Sequence, residues 1–212
     1  MFTIGLDLGF LSDFTALCVL ETPTLPVLRW ERSRRYSQDY TDSGLAIGGY
    51  SVESAPVFQL PDGSETSEHP WPLSHNVRHL DRWRGAPYPE IVDRVRGILG
   101  RLPDGSSLVV DVTAVGPFVL DLFRDLSPTA VSVHNGDAVQ EDGANVRIPK
   151  RDLASAVNVL LQTGRLRIAP AMPHARLLAD ELRTFKPKVA TADGSADWRD
   201  AANDDLVLAV AL

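Results

Sequence analysis

Residues 2–7, Phe-Thr-Ile-Gly-Leu-Asp, alternate between two faces, with Phe2, Ile4 and Leu6 on one and Thr3, Gly5 and Asp7 on the other. That period predicts a strand that closes on a carboxylate. Gly9 supplies a turn, residues 14–20 read as a second, largely buried strand, and residues 27–32 alternate again. Three strands joined by short turns predict an antiparallel meander. Residues 37–72 break the pattern, with Gly44, Gly48, Gly49, Gly63, Pro56, Pro61, Pro70 and Pro72 set among polar residues. They read as a long polar loop or insertion, after which residues 77–83 return as a short strand.

Beyond that point helix and strand periods alternate. Ile91, Val92, Val95, Ile98 and Leu99 recur at helical spacing behind Pro87 and Pro89. Leu108-Val109-Val110 is a continuous apolar run ending at Asp111, the composition of a strand covered on both faces. Val115, Val119, Leu122, Phe123 and Leu126 form a helical stripe opened by Gly116-Pro117, and residues 130–133 read as a strand. Residues 139–148, centred on Asp142-Gly143, predict a hairpin. Helices at 151–162 and 174–185 flank a strand at 166–169, and Asn203-Asp204-Asp205 opens a last apolar helix. The sum is a single α/β domain spanning 1–212, with a mixed sheet of antiparallel and parallel strands flanked by helices. The same order of elements is similar to that of the ribonuclease H-like fold.

Composition narrows the function. No apolar run reaches the ~18–20 residues of a membrane span, and the N-terminus carries no secretory pattern, which together point to a cytoplasmic protein. Cys18 is the single cysteine, so an internal disulfide and a thiolate-rich zinc site are excluded. The net charge of −7 argues against nucleic acid as a partner, unless some carboxylates are committed to holding divalent cations. Of the 21 basic residues only Lys150, Lys186 and Lys188 are lysine.

Three acidic positions bear on that exception. Asp7 and Asp111 end predicted strands, and Asp204 with Asp205 begins the last helix. If the two strands are neighbours, these carboxylates converge, and converging carboxylates repel one another unless a cation sits between them. Mg2+ and Mn2+ favour such oxygen donors, and two ions ~4 Å apart support phosphodiester hydrolysis. Each residue also has a local explanation: Asp7 as a turn former, Asp111 as a cap for the helix near Gly116, and the Asp pair as first-turn acids behind an Asn203 cap.

Several motifs carry a family resemblance. Gly5-Leu-Asp-Leu-Gly9 with Ser12-Asp13-Phe14-Thr15-Ala16, Val109-Val-Asp-Val-Thr-Ala-Val-Gly116, Ile148-Pro-Lys-Arg-Asp-Leu153, Gly164–Ala169 and Asn203-Asp-Asp-Leu-Val-Leu-Ala209 follow one another in order. With the segment 77–92, they resemble the nuclease domain of phage terminase large subunits, a RuvC-type, ribonuclease H-like family. The resemblance implies a nuclease that cuts double-stranded DNA using two divalent cations, Mg2+ or Mn2+. It implies Asp7, Asp111 and one or other of Asp204 and Asp205 as catalytic metal ligands, Asp13 as a further acidic position that binds metal through water or positions a ligand, and Lys150 as a basic catalytic position that contacts the scissile phosphate. It also implies a packaging ATPase, a portal or a small terminase subunit as partners, and the host cytoplasm as the compartment. Two positions depart from the family pattern: Asn203 replaces a histidine and Ala114 a glycine. No G-x-x-x-x-G-K-[ST] phosphate loop occurs, so no ATPase domain is expected in these residues. The stop inside the apolar stretch of the last helix reads as a trimmed C-terminus.

Duplex DNA would be gripped by arginines, with Arg29, Arg32, Arg34 and Arg35 crowded on one predicted strand and Arg78, Arg82 and Arg84 on another, interleaved with Trp30 and Trp83. Charge protecting an edge strand explains the first cluster equally well. His75, His79, His134 and His174 show no ligand spacing and read as surface or core residues. The readings left open are a junction resolvase of the same fold, a DNA-gripping or motor-docking module with little nuclease activity, and an actin-like or sugar-kinase ATPase. The last is disfavoured because those folds need a second domain and a second glycine-rich loop.

Overall fold

The computed structural model describes residues 1–10, 13–23, 27–40, 46–60, 62–66, 74–142, 145–185 and 204–212. The chain divides into two compact units, Pro23–Leu73 and the remainder, Met1–Thr22 with Ser74–Leu212. In chain order the elements are β1 (Phe2–Asp7), β2 (Phe14–Glu21), β3 (Val27–Tyr40), β4 (Ala46–Gln59), β5 (Glu65–Thr66), β6 (His75–Arg84), α1 (Tyr88–Leu99) and β7 (Ser107–Asp111). A 3₁₀ helix (Pro117–Leu126) follows, then β8 (Thr129–His134), β9 (Gln140–Asp142), β10 (Asn145–Pro149), α2 (Lys150–Gln162), β11 (Leu166–Ile168), α3 (Ala175–Thr184) and α4 (Asp205–Ala211).

The larger unit is built on an eight-stranded mixed sheet in the order β11-β6-β2-β1-β7-β8-β10-β9. β1, β2 and β6 are antiparallel neighbours, whereas β1, β7, β8 and β10 run parallel. The period of two along the central strands feeds two separate cores. Ile4, Leu6, Leu17, Val19, Leu108 and Val110 pack with Ile91 and Val95 of α1 and Phe123 of the 3₁₀ helix. On the opposite face Ala16, Cys18 and Leu80 pack with Val157 of α2, Leu178 of α3 and Leu206, Val207 and Val210 of α4.

The second face is small where α4 crosses it. Gly5 pairs with Cys18 and Asp7 with Ala16, and α4 packs on both strands. A Cβ at Gly5 would lie 2.0 Å from the carbonyl oxygen of Ala209, a backbone atom with no rotamer to escape into. Gly5→Ala is therefore expected to destabilise the fold by at least the ~1–3 kcal/mol typical of overpacking. Thermal unfolding checks it: a midpoint unchanged from wild type would mean that α4 does not sit this close to β1.

The smaller unit corrects the sequence reading of residues 27–72. β3 does not join the meander with β1 and β2; β6 takes that place, and β3 pairs instead with β4 in a second sheet, β3-β4-β5. The stretch expected to be a polar loop or insertion is not loop: it holds the end of β3 and all of β4 and β5, with Tyr36 opposite Tyr50 and Phe58 opposite Thr66. Val57 and Phe58 are buried in this unit. A two-stranded ribbon can pair without an alternating apolar face, so the period that betrays a sheet strand is weak here, and Gly48, Gly49 and Pro56 hide it further. Among the described residues no helix is long and apolar enough to cross a membrane.

Candidate metal centre

β1 and β7 run side by side, and their last residues, Asp7 and Asp111, are partners in register. Asp7 lies two residues beyond Gly5, on the face that α4 covers, so the approach that Gly5 permits brings the start of α4 to both strand ends. One open pocket of about 630 Å³ is lined by Asp7, Asp13, Asp111, Lys150, Asp204 and Asp205, together with Thr113, Arg84, His134 and Asn135. The acids expected to converge from opposite ends of the chain thus line a single cavity.

Each acid is held differently. Asp111 is only 4% exposed. Its Oδ1 accepts the backbone N–H of Thr113 at 2.8 Å and the Thr113 hydroxyl, and that hydroxyl oxygen accepts the Val133 N–H at 2.7 Å. Asp111 therefore bonds the turn beside it and does not cap the 3₁₀ helix, whose first residue has no side-chain cap. Asp204 accepts from Lys150 Nζ at 2.7 Å, and Asp205 from Arg82 Nη2 at 2.6 Å. Among the described residues no hydrogen-bond donor reaches the carboxylate of Asp7.

Electrostatics follows from this crowding. Burial, and then the carboxylates of Asp111, Asp205 and Asp204, push Asp7 well above the usual carboxylate range, with Lys150 pulling the other way. Burial also raises Asp111, against the two Thr113 hydrogen bonds. Asp205 is raised by burial and partly restrained by Arg82. These are groups that gain from a nearby positive charge.

The four carboxylates are hard oxygen donors of the kind that Mg2+ and Mn2+ favour. Among the described residues no three Asp, Glu, His or Cys side chains already stand as a finished cage. Lys150 and Arg82 each occupy one oxygen, of Asp204 and of Asp205 respectively.

The chain resembles a phage terminase nuclease in its fold. It superposes on the crystal structure of the large terminase nuclease from thermophilic phage G20c with a TM-score of 0.53 and 19% identity, over 100% of this chain and 80% of that one. No family model and no curated protein sequence matches the chain. The mixed sheet with its flanking helices is thus the ribonuclease H-like architecture expected from the order of elements, and the terminase-like resemblance extends to the three-dimensional structure.

The arginines fare unevenly. Arg82, expected among the DNA-gripping residues, is instead buried: its side chain is only 8% exposed, paired with Asp205 and stacked 3.6 Å over the Phe14 ring. It braces one of the lining acids. Arg84 lines the same pocket, Arg78 binds Glu21 through Nε at 2.6 Å, and Arg29 bridges Glu31 and Glu65. The side chains of Arg32, Arg34 and Arg35 lie outside the described part of the structure, as do Ser12 and Asn203.

The sequence reading passed over four residues here: Thr113, which orients Asp111; Phe14 beneath Arg82; His134, set aside as a surface or core histidine although it lines the pocket; and Glu181. Glu181 is 4% exposed, and its Oε2 accepts the N–H groups of Leu206 and Val207 at 2.9 and 3.2 Å. Its signal was present, since it falls three residues after Leu178 on the apolar stripe of α3.

Proposed function

We propose that this chain is a Mg2+- or Mn2+-dependent endonuclease that cleaves double-stranded DNA by two-metal-ion phosphodiester hydrolysis. The observation that carries the reading is the in-register pair Asp7 and Asp111, lining one open pocket with Asp204 and Asp205. The likeness in fold to a phage large terminase nuclease supports the same reading. A viral genome-packaging setting, with a packaging ATPase, portal or small terminase subunit as partner and the host cytoplasm as compartment, goes with it.

Asp7, Asp111, Asp204 and Asp205 would hold the ions, with Asp13 at the pocket rim. Bound there, hard dications supply Lewis-acid charge to the phosphate and lower the pKa of the attacking water. The chain's own part is positional. Thr113 fixes Oδ1 of Asp111 and so orients Oδ2, which accepts no hydrogen bond among the described residues. Lys150, the first residue of α2, brings positive charge to the pocket wall and offsets phosphate charge there. Arg84 adds a second cation to the same wall. Contacts of this kind position a duplex without reading its sequence.

The test is supercoiled plasmid incubated with Mn2+ or Mg2+ against a chelator control, with the melting temperature read in parallel. Nicked and linear products are expected only with metal. At an ion concentration ~100 times Kd the fold should gain about 2.7 kcal/mol. The absence of both cleavage and a thermal shift with either metal would overturn the reading, and a strong preference for four-way junctions over linear duplex would move it to a resolvase.

A further inference from the structure

Buried carboxylates are costly unless they are hydrogen-bonded or paired, and Glu181 occupies a core position on α3 between the stripes of Leu178 and α4. What it faces explains it. The first N–H groups of any helix lack an intrahelical acceptor, and Asp204, which precedes α4, makes no side-chain cap. Glu181 supplies the missing acceptor from another helix, taking both Leu206 and Val207 on Oε2. Its Oε1 is buried without a partner among the described residues, and so is Nε of Arg82. The positive charge of Arg82 acts on Glu181 as well as on Asp205, to which Arg82 is bonded. Glu181 therefore holds the segment that carries the acid pair through its backbone, and the charge of the cation that holds Asp205 reaches it as well.

We propose that Glu181 is a positioning residue of the metal centre: by tethering Leu206 and Val207, it sets where Asp204 and Asp205 stand relative to Asp7 and Asp111. The proposal rests on reading the pocket as a metal centre, and it adds a residue that neither binds the ions nor touches DNA.

The experiment compares Glu181→Ala, Glu181→Gln and, as a control in the same core, Leu178→Ala. Three quantities are read: Mn2+ affinity by calorimetry, amide exchange at Leu206 and Val207 in metal-free protein by NMR, and the melting temperature. Glu181→Ala should weaken Mn2+ binding about 10- to 100-fold, the range for partners that orient metal ligands, and should speed exchange at both amides. Glu181→Gln keeps a carbonyl acceptor and loses the negative charge, so it should restore amide protection and fall between wild type and Glu181→Ala in Mn2+ affinity. Leu178→Ala should lose stability yet bind Mn2+ as wild type does.

The proposal is overturned if Glu181→Ala leaves Mn2+ affinity and amide exchange unchanged, or if Leu178→Ala weakens Mn2+ as much as Glu181→Ala. A wild-type protein that binds no Mn2+ sinks the metal reading, and with it the metal half of the proposal. The exchange measurement still decides the tether by itself, because unchanged protection in Glu181→Ala would refute it.

Discussion

Asp111→Asn should eliminate plasmid cleavage while leaving the protein folded. The amide can accept both Thr113 hydrogen bonds that Oδ1 accepts now, so the turn after β7 stays closed. What disappears is one negative charge at the in-register partner of Asp7. Metal-ion catalysis is worth several kcal/mol of transition-state stabilisation, and each ~1.4 kcal/mol is a factor of ten in rate. A loss of about a thousandfold or more is therefore expected. Asp111→Ala should lose as much activity and some of the turn. Single-turnover cleavage in Mn2+, with duplex binding measured beside it, gives the comparison. Cleavage near the wild-type rate in either variant would remove Asp111 from the chemistry and leave the two-metal proposal without its central pair.

The second large effect is on stability, and it runs opposite to the usual acid sensitivity of proteins. Asp7, Asp111, Asp205 and Glu181 all have carboxyl groups raised above their ordinary values by burial, Glu181 to about 7. A raised acid binds its proton more tightly in the folded state than in the unfolded one. Its stabilising contribution is complete below the unfolded-state pKa and is lost as pH climbs through the folded value. In chelator, the melting temperature should therefore fall between about pH 5 and pH 8, at a cost of about 1.4 kcal/mol for each unit of upward shift that is titrated. On the acid side Glu21 works the other way: the Arg78 hydrogen bond lowers it, so its contribution is present above its unfolded pKa and is lost as pH falls through the folded value.

Asp7→Asn removes the most crowded carboxylate and should flatten the slope, melting higher than wild type near pH 8 without metal. Saturating Mn2+ should flatten the wild-type slope in the same way. Melting curves that stay level, or rise, from pH 5 to pH 8 in chelator would show that these carboxyl groups are not raised in the folded protein.

The parts of this molecule that were legible in the sequence are those where burial leaves a periodic trace. Leu108-Val109-Val110 reads as a strand because both faces of β7 are covered, and its end at Asp111 follows directly. The Asp204–Asp205 start of α4 is visible for a similar reason, as an apolar helix opening on two acids. Burial hides other residues from a reading by residue type. Arg82 looks like one of a surface cluster, yet it stands two residues after the buried Leu80, so strand alternation turns it inward with Leu80. Glu181 interrupts an apolar stripe and reads as an exposed acid until the two N–H groups it serves are seen. The pairing of β2 with β6 rather than β3 spans more than fifty residues of intervening chain, and nothing local encodes it.

The close contact of Gly5 with Ala209 also fixes when the pocket can exist. A ribosome adds about 5–20 residues per second, so β1, β2, β6 and β7 are all made well before residue 205 is. Until the segment that carries Asp204 and Asp205 emerges and docks on the small face of β1 and β2, half of the acids are missing. A nascent chain therefore lacks part of the acid cluster, and the cleavage proposed above would begin only after Asp204 and Asp205 have emerged and docked.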